Sequence, residues 1–164
     1  MAAEALKRHP VVNSGWNGDT ITQFGSIDIG IAVDLGNGLI TPIVRDCGSR
    51  GIVDIDGELK VLIDKAGEGK LKPDEYTGAT FTISNLGSFG VDEFTAIINP
   101  PGAAILAIGA TRRTPVVKAD GSIGVGSMMT MTLSCDHRVI DGAAGGRFLN
   151  DLRLTMEQPL RMIF

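Results

Sequence analysis

Segments in which apolar and polar residues alternate constrain the fold of this chain more than any other feature. The longest runs from Phe24 to Leu35, where an isoleucine, valine or leucine occupies every second position from residue 27 onward. Because successive side chains of a strand point to opposite sides, this pattern predicts a half-buried strand. The next residues, Gly36-Asn37-Gly38, suit a tight turn, and apolar character resumes at 39–44, which predicts a hairpin. Pro42 places its second strand at an edge or a bulge.

The other elements follow from the same kind of reasoning. Strands are predicted at 80–84, 103–108 and 128–135, and Asp120-Gly121 predicts a second hairpin between 116–118 and 123–125. Helical spacing of apolar residues predicts helices at 54–67 and 144–156, and the first residues have the composition of a helix that ends at His9-Pro10. This order of elements indicates one α+β domain with a mostly antiparallel or mixed sheet.

Composition and charge exclude several classes of function. The chain has 164 residues, of which 43% are hydrophobic and 21% charged, as in an ordinary globular domain. Its net charge of −4 argues against nucleic acid as a partner, and its longest apolar run, 103–110, is too short to cross a membrane. Cys47 and Cys135 lie far apart, so we expect buried thiols in a reducing compartment rather than a metal site or a disulfide.

His137 is the strongest candidate for chemistry, because it follows a predicted strand and stands four residues before Asp141, which begins a helix. Asp136, His137, Arg138 and Asp141 place four ionisable groups within six residues, where burial and pairing shift pKa values. The alternative is a loop histidine with a structural hydrogen bond. For Asp141 we favour a helix N-cap through Ala143 or Ala144, or a contact with an arginine, over proton transfer.

The remaining polar candidates have plainer interpretations. Arg138 is expected to form a structural ion pair. Ser84, at the end of a predicted strand, is either an ordinary strand serine or a donor to a developing oxyanion, and His9 is expected at the surface. The chain has no GxSxG, HExxH or GxxxxGK[ST] motif. With two histidines, a single base acting on a bound nucleophile suits the sequence best.

Six ordered blocks of sequence resemble the dihydrolipoamide acyltransferase components of the 2-oxo acid dehydrogenase complexes. They are His9–Asn13, Gly38–Val44, Gly69–Leu71, Thr80–Gly87, Ile97–Pro101 and Asp136–Ala143. The HxxxDG core alone is shared with chloramphenicol acetyltransferases and peptide-synthetase condensation domains, whereas six blocks in order are highly specific. Residues 93–101 and 128–138 look most like the pyruvate dehydrogenase type, which makes acetyl the expected acyl group.

The resemblance implies an α+β, chloramphenicol-acetyltransferase-like fold with a mixed sheet and helices packed on it. It also implies trimers that assemble into a cubic or dodecahedral core, with active sites between subunits. His137 of one subunit then acts as general base opposite Ser84 of its neighbour, which stabilises the tetrahedral intermediate. Asp141 completes the catalytic group, and Asn85 and Arg138 are expected to contact coenzyme A. No metal is implied.

Further expectations concern the whole assembly. The implied partners are a lipoyl domain carrying the lipoyl group, a dehydrogenase and dihydrolipoamide dehydrogenase, in the bacterial cytoplasm or the mitochondrial matrix. Catalytic domains of the family have a further N-terminal segment before the position of Met1, so residues 1–164 are expected to be a single, N-terminally truncated acyltransferase domain. Two alternatives stay open, which are an O-acetyltransferase of the chloramphenicol type and an inactive structural fragment of the core.

Overall fold

A computed structural model describes residues 1–36 and 38–162, with the side chain of Met162 excepted. The helices are α1 (Ala2–Arg8), α2 (Ile52–Gly67), α3 (Pro73–Tyr76) and α4 (Gly142–Glu157). The strands are β1 (Ser14–Trp16), β2 (Ile21–Gln23), β3 (Ile29–Ile31), β4 (Val33–Asp34), β5 (Leu39–Ile40), β6 (Ile43–Val44), β7 (Phe81–Asn85), β8 (Ala104–Ile108), β9 (Arg112–Val117), β10 (Ile123–Met128) and β11 (Met131–Cys135). All the predicted strands and helices are present, with shifted ends.

A five-stranded sheet in the order β11-β8-β7-β3-β6 forms the centre of the domain. Strand β8 runs antiparallel to β11 and parallel to β7, while β3 runs parallel to β7 and antiparallel to β6. The sheet is therefore mixed, and the predicted α+β class is confirmed. Parallel neighbours require long crossovers, which the helix α2 and the extended segment 91–102 supply.

The first predicted hairpin is present, but each of its strands is interrupted. Val33 pairs with Ile40 and Ile29 with Val44, so β4–β5 and β3–β6 keep one register on either side of the interruption. Pro42 lies at that point and has no amide hydrogen to donate, although its carbonyl still accepts from the Ile31 amide at 2.9 Å. Of the two predicted settings for Pro42, the edge is confirmed, because β6 is the edge strand of the central sheet, and the unchanged register leaves no bulge. Asn37 of the turn lies outside the described residues.

The second hairpin is longer than predicted, and this shortens the strand that follows it. Residues 112–117 and 123–128 pair along their whole length, so that Met128 ends β10 and β11 begins only at Met131. A two-stranded ribbon thus projects beside the central sheet, because β9 and β10 pair only with each other.

Helices α1 and α4 pack over one face of the central sheet. Phe148 of α4 is fully buried, its ring centre 5.7 Å from that of Phe81 on β7 and 6.1 Å from the His9 ring. The expectation that His9 is a surface residue is wrong, since its side chain is only 20% exposed and its Nε2 lies 3.2 Å from Asp151 Oδ2. The sequence does not show this contact because α1 and α4 lie at opposite ends of the chain.

Within the described residues, no helix is both long enough and apolar enough to cross a membrane.

Candidate functional site

His137 is exposed in the short connection between β11 and α4. The connection is fixed at its start by Asp136, whose amide donates to the Ala103 carbonyl at 2.8 Å. The Asp136 carbonyl then accepts from the amides of Val139 and Ile140, both at 2.9 Å. Those two side chains are buried, so the backbone around His137 is anchored while its ring projects outward.

Arg138 forms the structural ion pair that the sequence predicts. Its guanidinium donates to both carboxylate oxygens of Asp136, with the shortest contact 2.6 Å, and its backbone amide donates to the same carboxylate at 3.0 Å. The Arg138 side-chain hydrogen bond is the main reason why the pKa of Asp136 lies below its ordinary value. The guanidinium also stacks 5.2 Å from the ring centre of Trp16, a contact that sequence reasoning missed.

Asp141 caps helix α4 as predicted. Its Oδ1 accepts from the Ala144 amide at 2.7 Å, one of the two donors that the sequence indicated. This hydrogen bond is the leading cause of the lowered pKa of Asp141, and the positive charge of Arg147 and the nearby His137 contribute less. The carboxylate therefore anchors the helix directly after the His137 connection.

Ser84 lies near the carboxyl end of β7, where strand register defines its position. It pairs with Ala107 of β8, which pairs in turn with Thr132 of β11. These three residues share a face of the sheet, whereas Leu133 lies on the opposite face beside α4. The side chain of Ser84 is half-buried and belongs to the face that α4 leaves uncovered.

Asn85 follows Ser84, ends β7 and stabilises the turn that comes next. Its Oδ1 accepts from the amide of Gly87 at 2.9 Å, and the rest of the residue is exposed. This hydrogen bond uses the carbonyl of the amide group, and it orients the side chain beside the end of β7.

Ser84 and His137 of one chain stand at opposite ends of the sheet. Ser84 is level with Thr132, and the rest of β11, from Thr132 to Cys135, spans about 10 Å at about 3.4 Å per residue. His137 lies two residues beyond the end of that strand. A further two strand spacings, about 10 Å, separate them sideways. Groups that act on one thioester must lie within hydrogen-bonding reach of it, so these two side chains cannot serve the same substrate within one chain.

Two open grooves of about 750 Å³ mark the described surface, and neither is lined by these residues. One lies beside the C-terminal end of α4, between Arg8 and Leu160. The other lies between the start of β11 and α4, where its lining includes Met129, Met131 and Met156. Because Ser84 and His137 lie at opposite ends of the sheet, the candidate site within one chain consists of two separated half-sites.

The catalytic-domain model of the 2-oxoacid dehydrogenases acyltransferase family matches residues 1–164. A dihydrolipoyllysine-residue acetyltransferase component of the pyruvate dehydrogenase complex from Rickettsia bellii is 45% identical over 98% of this chain. The mitochondrial component of that name from Schizosaccharomyces pombe is 48% identical over 97%. This chain spans 38% and 33% of the lengths of those two proteins, respectively.

Solved structures agree with these sequence matches. The cubic core of a pyruvate dehydrogenase multienzyme complex superposes with a TM-score of 0.93 at 33% identity, covering 99% of this chain and 69% of the other. Dihydrolipoamide acetyltransferase from Azotobacter vinelandii superposes with a TM-score of 0.94 at 35% identity, covering 99% of this chain and 67% of the other. The study of that structure concerned a serine, a histidine and an asparagine in the catalytic mechanism. A chloramphenicol acetyltransferase superposes with a TM-score of 0.53 at 18% identity, covering 90% of this chain and 70% of the other. This similarity extends to the fold only.

Proposed function

We propose, because this chain belongs to the 2-oxoacid dehydrogenase acyltransferase family, that it transfers an acetyl group between a dihydrolipoyl arm and coenzyme A. The active site forms where His137 of one copy meets Ser84 of another. The separation of the two residues within a single chain supports this arrangement. Coenzyme A and the lipoyl group are the substrates, and the lipoyl group is carried on a separate domain.

The observation that carries the proposal is the spacing of the candidate residues. In the Azotobacter vinelandii enzyme the serine precedes the histidine by 52 residues, and the asparagine follows the histidine by four. Here Ser84 precedes His137 by 53 residues, and Asp141 follows it by four. The equal spacing supports the assignment of Asp141 to the role of that asparagine, and its hydrogen bond to Ala144 supports a role in fixing the end of the His137 connection.

His137 acts as general base in the forward step. It accepts the thiol proton of coenzyme A while the sulfur attacks the thioester carbonyl of the acetyl-dihydrolipoyl group. The carbonyl oxygen becomes an oxyanion, to which the Ser84 hydroxyl donates a hydrogen bond. The bond between the carbonyl carbon and the lipoyl sulfur then breaks, and the imidazolium returns its proton to that sulfur. The products are acetyl-coenzyme A and the dihydrolipoyl arm.

General-base catalysis suits the acidities of the two reacting groups. A typical thiol has a pKa near 8.5 and a typical imidazole one near 6.5, so complete transfer before attack costs about 2.7 kcal/mol in water. Transfer during attack avoids much of this cost, and a positioned base contributes ~10²–10⁴-fold to the rate. A single donor to the oxyanion contributes ~10²–10³-fold.

Asn85 and Arg138 are proposed to contact coenzyme A. Asn85 lies next to Ser84 at one end of the sheet, and Arg138 lies next to His137 at the other. Between two copies these residues approach the same substrate from both sides. The exposed positions of both side chains, and the positive charge of Arg138, suit a ligand that carries phosphates.

Assembly follows from the same geometry. A contact between unlike ends of two copies is a head-to-tail contact, and such contacts form a ring when the rotation between copies closes. We propose that three copies close into a trimer and that trimers build a larger core. The matching cubic core supports this, since its subunits have the same fold. The proposed partners are the lipoyl domain, the dehydrogenase and dihydrolipoamide dehydrogenase. The proposed location is the bacterial cytoplasm or the mitochondrial matrix, in keeping with bacterial and mitochondrial relatives.

Acetyl transfer from acetyl-coenzyme A to dihydrolipoamide tests the proposal directly. The parent protein should show activity, His137→Ala should lose ~10²–10⁴-fold of it, and Ser84→Ala should lose somewhat less. A control is Ser88→Ala, which changes an exposed serine beyond the end of β7 and should leave the rate unchanged. The mechanism is wrong if His137→Ala keeps the rate within about twofold of the parent.

A further inference from the structure

Trp16 and Arg138 lie far apart in sequence but meet beside His137. The guanidinium carbon of Arg138 is 5.2 Å from the centre of the Trp16 ring, within the range of a cation–π contact. The same guanidinium holds both oxygens of Asp136. His137 is thus flanked by two residues that are paired to each other, and one of them rests on an aromatic ring.

We propose that Trp16 is a positioning residue for His137. Its ring holds the Arg138 guanidinium, the guanidinium holds the Asp136 carboxylate, and together they fix the turn that presents the imidazole. This inference rests on the proposed function, because it assigns a task to a residue that does not itself touch the reacting atoms.

The backbone brings the two sides of this contact together through a single residue. Ala103 donates its amide to the Ser14 carbonyl at 2.8 Å and accepts at its carbonyl from the Asp136 amide, also at 2.8 Å. Trp16 is two residues after Ser14, and Arg138 is two residues after Asp136. Because Ala103 is buried directly before β8, the ribbon β1–β2 and the His137 turn are attached to the same fixed point of the backbone.

The Trp16 ring restrains the Arg138 side chain more than its hydrogen bonds alone do. The Arg138 side chain is 63% exposed, and a long exposed side chain ordinarily samples many rotamers. Its ion pair with Asp136 spans only two residues along the chain, so it restrains the turn without linking it to anything else. Stacking on Trp16 connects the turn to strand β1 as well, and this connection limits the orientations of the neighbouring His137 imidazole.

The first test compares kcat with the KM for acetyl-coenzyme A, in the assay that transfers acetyl from acetyl-coenzyme A to dihydrolipoamide. Trp16→Leu removes the aromatic face, and we expect kcat to fall about fivefold. The KM should change less than about twofold, because Asp136 still holds the Arg138 guanidinium that is proposed to contact the coenzyme. Trp16→Phe keeps an aromatic face and should restore kcat to within about twofold of the parent. Ile21→Ala is the matched control, since Ile21 lies on β2 directly opposite Trp16 of β1 and is half exposed. This variant should leave kcat and the KM unchanged.

Three kinetic results would overturn the inference. They are an unchanged kcat in Trp16→Leu, a loss in Trp16→Phe as large as that in Trp16→Leu, and a raised KM with an unchanged kcat. The last result would mean that Trp16 serves only the proposed contact of Arg138 with the coenzyme and does not position His137. Equal losses of kcat in Ile21→Ala and Trp16→Leu would also contradict the inference, because the β1–β2 ribbon as a whole, rather than the Trp16 ring, would then position His137.

A second measurement needs neither activity nor a change of Trp16. The chain has one tryptophan, so its fluorescence reports on this site alone. In Arg138→Ala, quenching of that fluorescence by acrylamide should rise about twofold, and the amides of Val139 and Ile140 should exchange hydrogen about fivefold faster. Unchanged quenching and exchange would refute the positioning role. If the parent lacks transfer activity, the proposed function fails, while this measurement still decides the inference.

Discussion

Ser84 at one end of the central sheet and His137 at the other are separated by the rest of β11 and by two strand spacings. Both lie at ends of strands that are firmly paired, so no small movement of a loop brings them together. Each chain therefore offers one half of the proposed site at either end of its sheet. In the proposed assembly, a head-to-tail contact between copies joins unlike halves, so that each contact forms one complete site.

The contact between α4 and the sheet is expected to dominate stability. Phe148 has no exposed surface and packs against Phe81, so Phe148→Ala should lower the free energy of unfolding by about 3–5 kcal/mol. Urea denaturation followed by circular dichroism measures this loss. Phe89→Ala removes the same atoms from a residue that is 65% exposed and should cost far less. Similar losses in both variants would show that Phe148 is not part of the core.

Two buried glycines should respond in opposite ways to an added methyl group. A Cβ at Gly109, just after β8, would collide with the carbonyl oxygen of Asp92, so Gly109→Ala should cost at least about 2 kcal/mol. A Cβ at Gly145 would meet Leu133 and Cys135 at ordinary contact distances of 3.6 Å. Gly145→Ala should therefore gain about 0.5–1 kcal/mol from helix propensity. Thermal unfolding of both variants measures these two effects. A Gly109→Ala variant as stable as the parent would contradict the close packing of Asp92 against Gly109.

The Asp141 cap should make the stability of α4 depend on pH. The pKa of Asp141 is lowered in the folded state by the Ala144 hydrogen bond, so its contribution is present above the unfolded pKa of about 3.9. It is lost as the pH falls through the lower, folded value. At pH 7, Asp141→Ala should lower Tm by about 3 °C, whereas Asp141→Asn keeps an acceptor and should lower it less. Equal Tm values for the parent and Asp141→Ala at pH 7 would show that the cap is not formed.

Cys135 should be a slow thiol in the folded protein. Burial raises its pKa to about 11, so very little thiolate is present at pH 8. Alkylation by iodoacetamide should therefore be slow at pH 8 and should accelerate as the pH approaches 11. In denaturant the thiol returns to a pKa of about 8.5 and should react readily at pH 8. Cys47→Ser removes the other thiol and isolates the measurement. Rapid reaction of the folded variant at pH 8 would contradict the raised pKa of the partly buried Cys135 thiol.

Local features of the sequence predicted most of the fold. Alternation and turn residues are properties of neighbouring positions, so the two hairpins and the strand before His137 are found where expected. The Asp141 cap is local in the same way, since its acceptor and its donor are three residues apart. The strand ends were less predictable. Alternation continues through 24–35, but the position of Pro42 on the partner strand decides where the ladder breaks.

Contacts between distant segments were beyond the reach of these patterns. Nothing next to Trp16 indicates that its ring lies against Arg138, and nothing next to His9 indicates its contact with Asp151. The separation of Ser84 and His137 depends on the order of strands in the sheet, which alternation does not fix. The resemblance to the acyltransferase family, rather than residue patterns, supplied the expectation that two copies share a site.

Mixing two inactive variants tests the shared site most directly. His137→Ala and Ser84→Ala chains are unfolded, combined in equal amounts and refolded together, and acetyl transfer to dihydrolipoamide is measured. If each site takes its histidine and its serine from different copies, about a quarter of the sites in a random mixture regain both residues, and about a quarter of the parent activity returns. Each variant refolded alone stays at least ~100-fold below the parent. A mixture no more active than the variants refolded separately would contradict a site built from two copies.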